Sequence, residues 1–301
     1  MKAEGGRMTF RRLHLKDEGG RRKDDLVLTA ALRGSSLILH PSSFGSRVIP
    51  HPSSLIPHPY TKMHSIFVSD LHLSPERPRI NQVFFDFAGR TAAQAEAVYI
   101  LGDLFEYWVG DDDLADPFNA SVANALAGLS GKGVRVRLMQ GNRDVLLGEA
   151  FARRCGAELT ADPTLLDLHG TRTLVMHGDT LCTGDVEYQK FRSYAHDPGN
   201  QRRFLSQPLA ERRTQMLGMR AESEKSKQAK SAEIMDVAQS AVERVLREHG
   251  YPRLIHGHTH RPARHLHTVD GHRCERWVLN DWYERGGYLR CDSGGCKAEM
   301  L

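Results

Sequence analysis

The stretch Ser65-Ile66-Phe67-Val68-Ser69-Asp70-Leu71-His72 sets the reading of the chain: a short apolar run that stops at a cluster of polar, chemically useful side chains. The same pattern returns four times. Ala97-Val98-Tyr99-Ile100-Leu101 stops at Gly102-Asp103, and the run over 134–139 stops at Gly141-Asn142. Thr173-Leu174-Val175-Met176 stops at His177-Gly178-Asp179, and Arg253-Leu254-Ile255 at His256-Gly257-His258. Helical patterns over 84–95 and 118–129 lie between some of these runs. Strands alternating with helices predict a layered α/β domain, and in such domains ligands collect at the carboxyl ends of strands.

The clusters carry a consistent chemistry. In extended backbone, residues i and i+2 face the same way, so Asp70 and His72 can grip one ion. Gly102-Asp103 supplies a second carboxylate after a tight turn, although a Gly-Asp pair also reads as a plain turn or helix cap. Gly141-Asn142-Arg143-Asp144 offers an amide oxygen, a guanidinium and a carboxylate, and alone it is equally a β-turn with Asp144 capping a helix. His177, His258 and His260 add imidazoles. Together Asp70, His72, Asp103, Asn142, His177, His258 and His260 combine hard oxygens with neutral imidazoles, a set suited to Mn²⁺, Fe²⁺ or Zn²⁺. Seven ligands suffice for two ions sharing one carboxylate. Two ions roughly 3.5–4 Å apart can clamp the attacking and leaving oxygens of a phosphoryl displacement. No serine elbow, dinucleotide loop or P-loop competes, so phosphorus–oxygen hydrolysis is the predicted chemistry.

Composition narrows the class. The 301 residues include 41 Lys+Arg against 37 Asp+Glu, a net of +4, with 40% hydrophobic residues. No stretch reaches the roughly 18 consecutive apolar residues of a membrane-spanning helix. Five cysteines without regular spacing do not make a disulfide scaffold. Cys274, Cys291 and Cys296 are therefore expected to be ordinary reduced thiols, in a cytoplasmic setting. Residues 1–62 hold 11 Lys+Arg and 5 Asp+Glu, more than the whole chain's excess, so the remainder is slightly acidic and gives no argument for nucleic-acid binding. Within 1–62, His40-Pro41-Ser42-Ser43 recurs as His51-Pro52-Ser53-Ser54, and prolines deprive the backbone of donors. The expectation is a disordered or non-native extension, a domain over 63–301, and a frayed end from Arg290 onward.

Asp-x-His, Gly-Asp, Gly-Asn-x-Asp, His-Gly and Gly-His-Thr-His, in this order over about residues 65–267, resemble the calcineurin-like metallophosphoesterase family. The resemblance implies a four-layer α/β/β/α sandwich of two mixed sheets, with a helical lid insertion at about 187–230. Leu101-Gly102-Asp103-Leu104-Phe105-Glu106, Gly110-Asp111-Asp112-Asp113 and the stretches 67–73, 176–183, 234–237 and 255–262 resemble one branch of it more narrowly. That branch cleaves the pyrophosphate of UDP-2,3-diacylglucosamine to UMP and 2,3-diacylglucosamine 1-phosphate in lipid A biosynthesis. By the resemblance, one Mn²⁺ would sit on Asp70, His72, Asp103 and His260, and a second on Asp103, Asn142, His177 and His258. It assigns substrate contacts to Asn142, Arg143, Asp185, Ser223, Lys227, Lys230 and His258, and catalytic roles to Asp103, Asn142 and Arg143. Lys227 stands where relatives often have Asn or Thr. Arg143 takes the place of a histidine usual in the wider family; a guanidinium can hold phosphate oxygens in a fork but cannot act as a general acid, so Arg143 reads as a charge stabiliser.

The insertion itself holds ten Lys+Arg and five Asp+Glu, with Phe191, Tyr194, Phe204, Leu205, Leu209, Met216, Leu217 and Met219 among them. Arginines beside apolar side chains fit an anionic membrane surface, here the cytoplasmic face of the inner membrane. Arg202, Arg203, Arg212, Arg213 and Arg220 are the arginines in question. The alternative is a solvated helical hairpin packed on its own domain. No nucleic acid and no obligate protein partner are expected. Rival functions are a metallophosphoesterase acting on another nucleotide-linked pyrophosphate or phosphodiester, and a non-catalytic metal-binding scaffold.

Overall fold

Each of the five apolar runs is a strand in the computed structural model, which describes residues 64–229, 234 and 236–301. The extension expected over 1–62 lies outside the described residues. The first half of the chain alternates β1 (Ser65–Val68), α1 (Pro78–Gly89), β2 (Ala97–Leu101), α2 (Pro117–Gly131), β3 (Arg135–Met139), α3 (Glu149–Cys155) and β4 (Glu158–Leu159). A hairpin follows, β5 (Thr164–Leu168) and β6 (Thr171–Met176), then three helices, α4 (Val186–Ala195), α5 (Pro198–Leu205) and α6 (Leu209–Ala229). The chain closes with α7 (Gln239–Glu248), β7 (Arg253–His256), β8 (Ala263–Val269), β9 (His272–Val278), β10 (Gly287–Asp292) and β11 (Gly295–Met300). Among the described residues no helix is long and apolar enough to cross a membrane.

Two mixed sheets result. One has the order β11-β10-β1-β2-β3-β4, the other β5-β6-β7-β9-β8. In the first, β1, β2 and β3 are parallel; in the second, β6 and β7 are. The period-two alternation of strand side chains makes three apolar layers from these sheets. Ile66, Val68, Val98 and Ile100 face outward against α1, α2 and α3. Phe67, Tyr99, Leu101, Val175 and Ile255 face inward and fill the space between the sheets. Leu174, Met176 and Leu254 face the far side, where α7 lays down Ala241, Val242, Val245 and Leu246. The architecture is therefore the expected α/β/β/α sandwich. Phe67 and Tyr99 stack at 4.7 Å in the middle layer, and each large side chain so buried contributes on the order of 1.5–3 kcal/mol.

Two helix starts differ from the apolar pattern for a local reason. α1 covers Pro78–Gly89 rather than 84–95: it begins at Pro78, because proline at the first turn sacrifices no helical hydrogen bond, and residues 90–95 leave the α-helix for a short turn over Ala92–Gln94. α2 begins at Pro117 behind Asp116, whose carboxylate accepts the N–H groups of Phe118 and Asn119.

Two expectations are corrected at the carboxyl end. Residues from Arg290 onward are not frayed: β10 pairs with both β11 and β1, placing Cys291 opposite Ser65 and Cys296. A hairpin pinned on the central strand buries Leu289 and Cys291, which holds the chain end in place. Nor are all three late cysteines reduced. Cys291 and Cys296 face each other across this hairpin and form a disulfide, whereas Cys155, Cys182 and Cys274 are buried elsewhere. The five-residue spacing carried no disulfide signal until the intervening turn was known.

Candidate metal centre

All the clusters lie where parallel strands end. Asp70 and His72 follow β1, Asp103 follows β2, Asn142 and Arg143 follow β3, His177 follows β6, and His258 and His260 follow β7. The centre thus straddles the carboxyl edges of both sheets. Five of these residues, Asp70, His72, Asp103, His258 and His260, adopt left-handed backbone with φ between 49° and 68°. Non-glycine residues pay about 1–3 kcal/mol each for that conformation, a cost sustained only where surrounding contacts impose it. Here they do: Asp70 N–H donates to Gly102 O at 3.1 Å, His72 N–H to Asp103 O at 3.0 Å, and His258 N–H to Asp70 Oδ2 at 2.8 Å.

The side chains form two groups about one carboxylate. Asp103 Oδ2 lies 3.9 Å from His72 Nε2, and its Oδ1 lies 3.8 Å from His177 Nε2. On the first side, His260 Nε2 is 3.3 Å from both Asp70 Oδ1 and His72 Nε2. On the second, Asn142 Oδ1 is 3.1 Å from His177 Nε2 and 2.9 Å from His258 Nδ1. Asp70, His72 and His260 bring one ligand atom each within 4.8 Å of one another, and so do Asp70, Asp103 and His177. Close-set carboxylates and imidazoles whose lone pairs converge in this way fit a divalent metal.

The electrostatics agree with that fit. Burial pushes Asp103 up to about 7, aided by Asp144 and Asp70 against the pull of His177. Burial would also raise Asp70, but His260, His177 and His72 hold it well below the usual carboxylate range. Burial opposes protonation of His177, yet Asp103, Asp70 and Asp179 outweigh it and raise that imidazole to about 9. His258 is lowered to about 3 by burial and by His177, so its ring is neutral with a lone pair to give. Without a cation, protons must supply the positive charge these carboxylates demand.

Several residues that support the centre were not singled out from the sequence. Asp144 does not cap the next helix; its carboxylate, fully buried, accepts the N–H groups of Gly141 at 2.7 Å, Leu104 at 2.8 Å and Asp103 at 3.2 Å. It thereby clamps the ends of β2 and β3 together. His177 Nδ1 is fixed by Leu101 O at 2.9 Å, leaving Nε2 for the centre. Tyr283 stacks on His72 at 4.8 Å and lies 5.4 Å from His260, with the Arg77 guanidinium 4.7 Å from its ring. Nothing in the spacing of Tyr283 could have signalled this, because it arrives on the loop between β9 and β10.

A cavity of about 580 Å³ opens from the centre, floored by His72, Asp103, Asn142, Arg143 and His258 and walled by Tyr188, Phe191, Met216, Met219 and Ser223. Asp185 also reaches it, while its carboxylate accepts Tyr188 N–H at the start of α4. Tyr188 and Arg192 in turn hold buried Asp179, each at 2.7 Å. The side chain of Lys227, and Lys230 altogether, lie outside the described residues. The arginines of the helical insertion divide in two. Arg212, buried, pairs with Asp112 and with Val109 O; Arg213 pairs with Asp113; Arg220 pairs with Glu106 at 2.8 Å. Asp112, Asp113 and Glu106 with these arginines thus fasten α6, whereas Asp111 accepts the N–H groups of Gly148, Ala150 and Phe151 at the start of α3; of the five arginines read from sequence as facing a headgroup surface, Arg202 and Arg203 are the exposed ones.

The sequence model of the family described as calcineurin-like phosphoesterase matches residues 63–262. A protein of Aromatoleum aromaticum named UDP-2,3-diacylglucosamine hydrolase is 53% identical over 233 residues, covering 77% of this chain and 95% of its own length. Proteins of the same name are 46% identical in Stenotrophomonas maltophilia, with 79% and 99% coverage, and 47% identical in Cellvibrio japonicus, with 77% and 97%.

Proposed function

The chain belongs to the calcineurin-like phosphoesterase family, and from that premise we propose that it hydrolyses the pyrophosphate of UDP-2,3-diacylglucosamine, releasing UMP and 2,3-diacylglucosamine 1-phosphate for lipid A. The observation that carries this reading is the Asp103 carboxylate, which turns one oxygen to each histidine group at the floor of a cavity with apolar walls. Asp70, His72, Asp103 and His260 would hold one Mn²⁺; Asp103, Asn142, His177 and His258 would hold the other. Bound ions of this kind polarise phosphoryl oxygens and lower the pKa of water toward neutrality.

The chain's own groups do the rest. Arg143 lines the cavity, and its guanidinium stays cationic at every working pH, so it can brace the developing negative charge on the α-phosphoryl group with two parallel N–H donors. It gives no proton; UMP leaves as a stabilised phosphate and needs little help. His258, neutral by burial, presents an imidazole at the same floor. Phe191, Met216 and Met219 offer acyl chains an apolar wall, and Asp185 and Ser223 line the same cavity; Lys227 and Lys230 are substrate contacts by the family resemblance alone. Peripheral attachment to the cytoplasmic face of the inner membrane is part of the proposal, supported by exposed Val186, Tyr194 and Leu217, each more than half accessible, together with Arg202 and Arg203.

The test is purified protein with Mn²⁺ and the diacylated UDP-sugar. UMP release well above that of an Asp103→Ala, His258→Ala double variant is expected. Equality with that control rejects the reading, and turnover confined to soluble phosphodiesters would assign the site to a different substrate.

A further inference from the structure

One buried carboxylate beside the centre has no part in the reading above. Glu106 is 1% exposed, with both oxygens shielded from solvent. An isolated buried carboxylate is costly, so its neighbours need an explanation. Its main chain is pinned, since Glu106 N–H donates to Leu73 O at 3.0 Å. Its two oxygens face different elements: Oε2 lies 3.7 Å from Nδ1 of His72, and Oε1 lies 2.8 Å from Nε of Arg220 on α6.

The His72 ring is turned so that its other nitrogen, Nε2, faces Asp70 at 4.0 Å, Asp103 at 3.9 Å and His260 at 3.3 Å. A ring that ligates through Nε2 carries its proton on Nδ1, the side on which Glu106 waits as an acceptor. A carboxylate behind a ligating imidazole fixes both the tautomer and the ring orientation. Arg220 is not required merely to place α6, because Arg212–Asp112 and Arg213–Asp113 already fasten that helix two turns earlier. What Arg220 adds is a connection to a ligand.

We infer that Glu106 is a positioning residue that couples the helical insertion to the metal centre: one oxygen orients His72, the other is gripped by Arg220, and filling of the centre and docking of α6 favour each other. The inference rests on the metal reading of the site. It follows from linkage that if α6 aids metal binding, metal must stabilise α6 by the same factor.

Amide hydrogen exchange over residues 209–223, with and without saturating Mn²⁺, measures the coupling without reference to turnover. In the wild-type chain Mn²⁺ is expected to slow exchange several-fold. Glu106→Gln and Arg220→Gln should each erase that metal-dependent difference, and Arg220→Lys should restore part of it. Direct titration should show Mn²⁺ binding weakened roughly 10- to 100-fold in Glu106→Gln. A purely structural Glu106 would speed exchange equally in both states and leave the difference intact. Arg220 is one-third exposed, so its variant keeps the test available should Glu106→Gln fold poorly. Undiminished metal-dependent slowing in both variants overturns the inference, as does a wild-type chain that binds Mn²⁺ without any change in α6. A wild-type chain that binds no Mn²⁺ overturns the metal reading itself.

Discussion

The backbone N–H of Arg143 donates to Oδ1 of Asp103 at 2.8 Å. This cavity-lining residue is therefore anchored by its main chain to the carboxylate lying between the two histidine groups. Truncating the side chain leaves this anchor in place, which separates the charge of Arg143 from the integrity of the centre.

Arg143→Ala should accordingly lower kcat by about 10²–10³, the usual cost of removing one donor from a developing oxyanion, with metal content unchanged. Arg143→Lys should recover only part of the loss, since an ammonium lacks the planar fork. Steady-state UMP release beside elemental analysis of the same samples checks both. A fall in bound metal in Arg143→Ala would contradict the separation.

Asp103→Asn tests the shared carboxylate. It removes the charge that faces both His72 and His177 while keeping the shape, so bound Mn²⁺ should fall to one equivalent or fewer and kcat by about three orders of magnitude or more. Chelator treatment of the wild-type chain should abolish turnover reversibly, with activity regained on adding Mn²⁺ but not Ca²⁺, whose preference is for all-oxygen sites.

The apolar wall should matter to the lipid alone. Phe191→Asp and Met219→Glu place charge against acyl chains, each forfeiting burial of the order of 1.5–3 kcal/mol. The KM for the diacylated substrate should rise about tenfold or more, since each 1.4 kcal/mol is a factor of ten. Hydrolysis of an unacylated UDP-sugar, measured in parallel, should change less than about twofold.

How far the sequence reached depended on how local each signal was. The strand ends and the clusters they carry were legible because the residue type, the apolar run before it and the turn glycine sit within a few positions of one another, as in Ala97 to Asp103. The insertion was legible as a break in the α/β rhythm, but not the orientation of its charges: Arg212 and Arg213 pair with aspartates 100 residues away, and nothing near them in the chain distinguishes them from exposed Arg202 and Arg203. Glu106 and Asp144 stood inside the motifs, yet their work is to satisfy His72, Arg220 and four backbone N–H groups supplied by the tertiary fold. Tyr283 and the Cys291–Cys296 bond depend on a hairpin whose pairing with β1 no pattern in 280–301 announces.

The approach of the two sheets at the centre gives the last prediction. Gly257 N–H donates to His177 O at 2.9 Å, while the next residue, His258, donates to Asp70 Oδ2, so this peptide stitches β7 to the ends of both β6 and β1. A Cβ on Gly257 would run into Ser69 Oγ and Asp70 Oδ2, and neither can retreat: Ser69 Oγ donates to Leu101 O at 3.0 Å, and Asp70 is wholly buried. Gly257→Ala should therefore destabilise the fold by roughly 1–3 kcal/mol through overpacking, lowering Tm by roughly 2–4 °C per kcal/mol for a domain of this size. Because the displaced atoms belong to Asp70 and to the peptide preceding His258, Mn²⁺ affinity should fall as well. Gly128→Ala is the matched control, since its Cβ meets nothing within 4 Å on helix α2; it should stabilise by about 0.5–1 kcal/mol, the helix propensity gain, and leave metal binding untouched. Calorimetry and Mn²⁺ titration of the two variants together decide whether the glycine at the end of β7 is there for the turn or, as the contacts require, for the close passage of one sheet past the other.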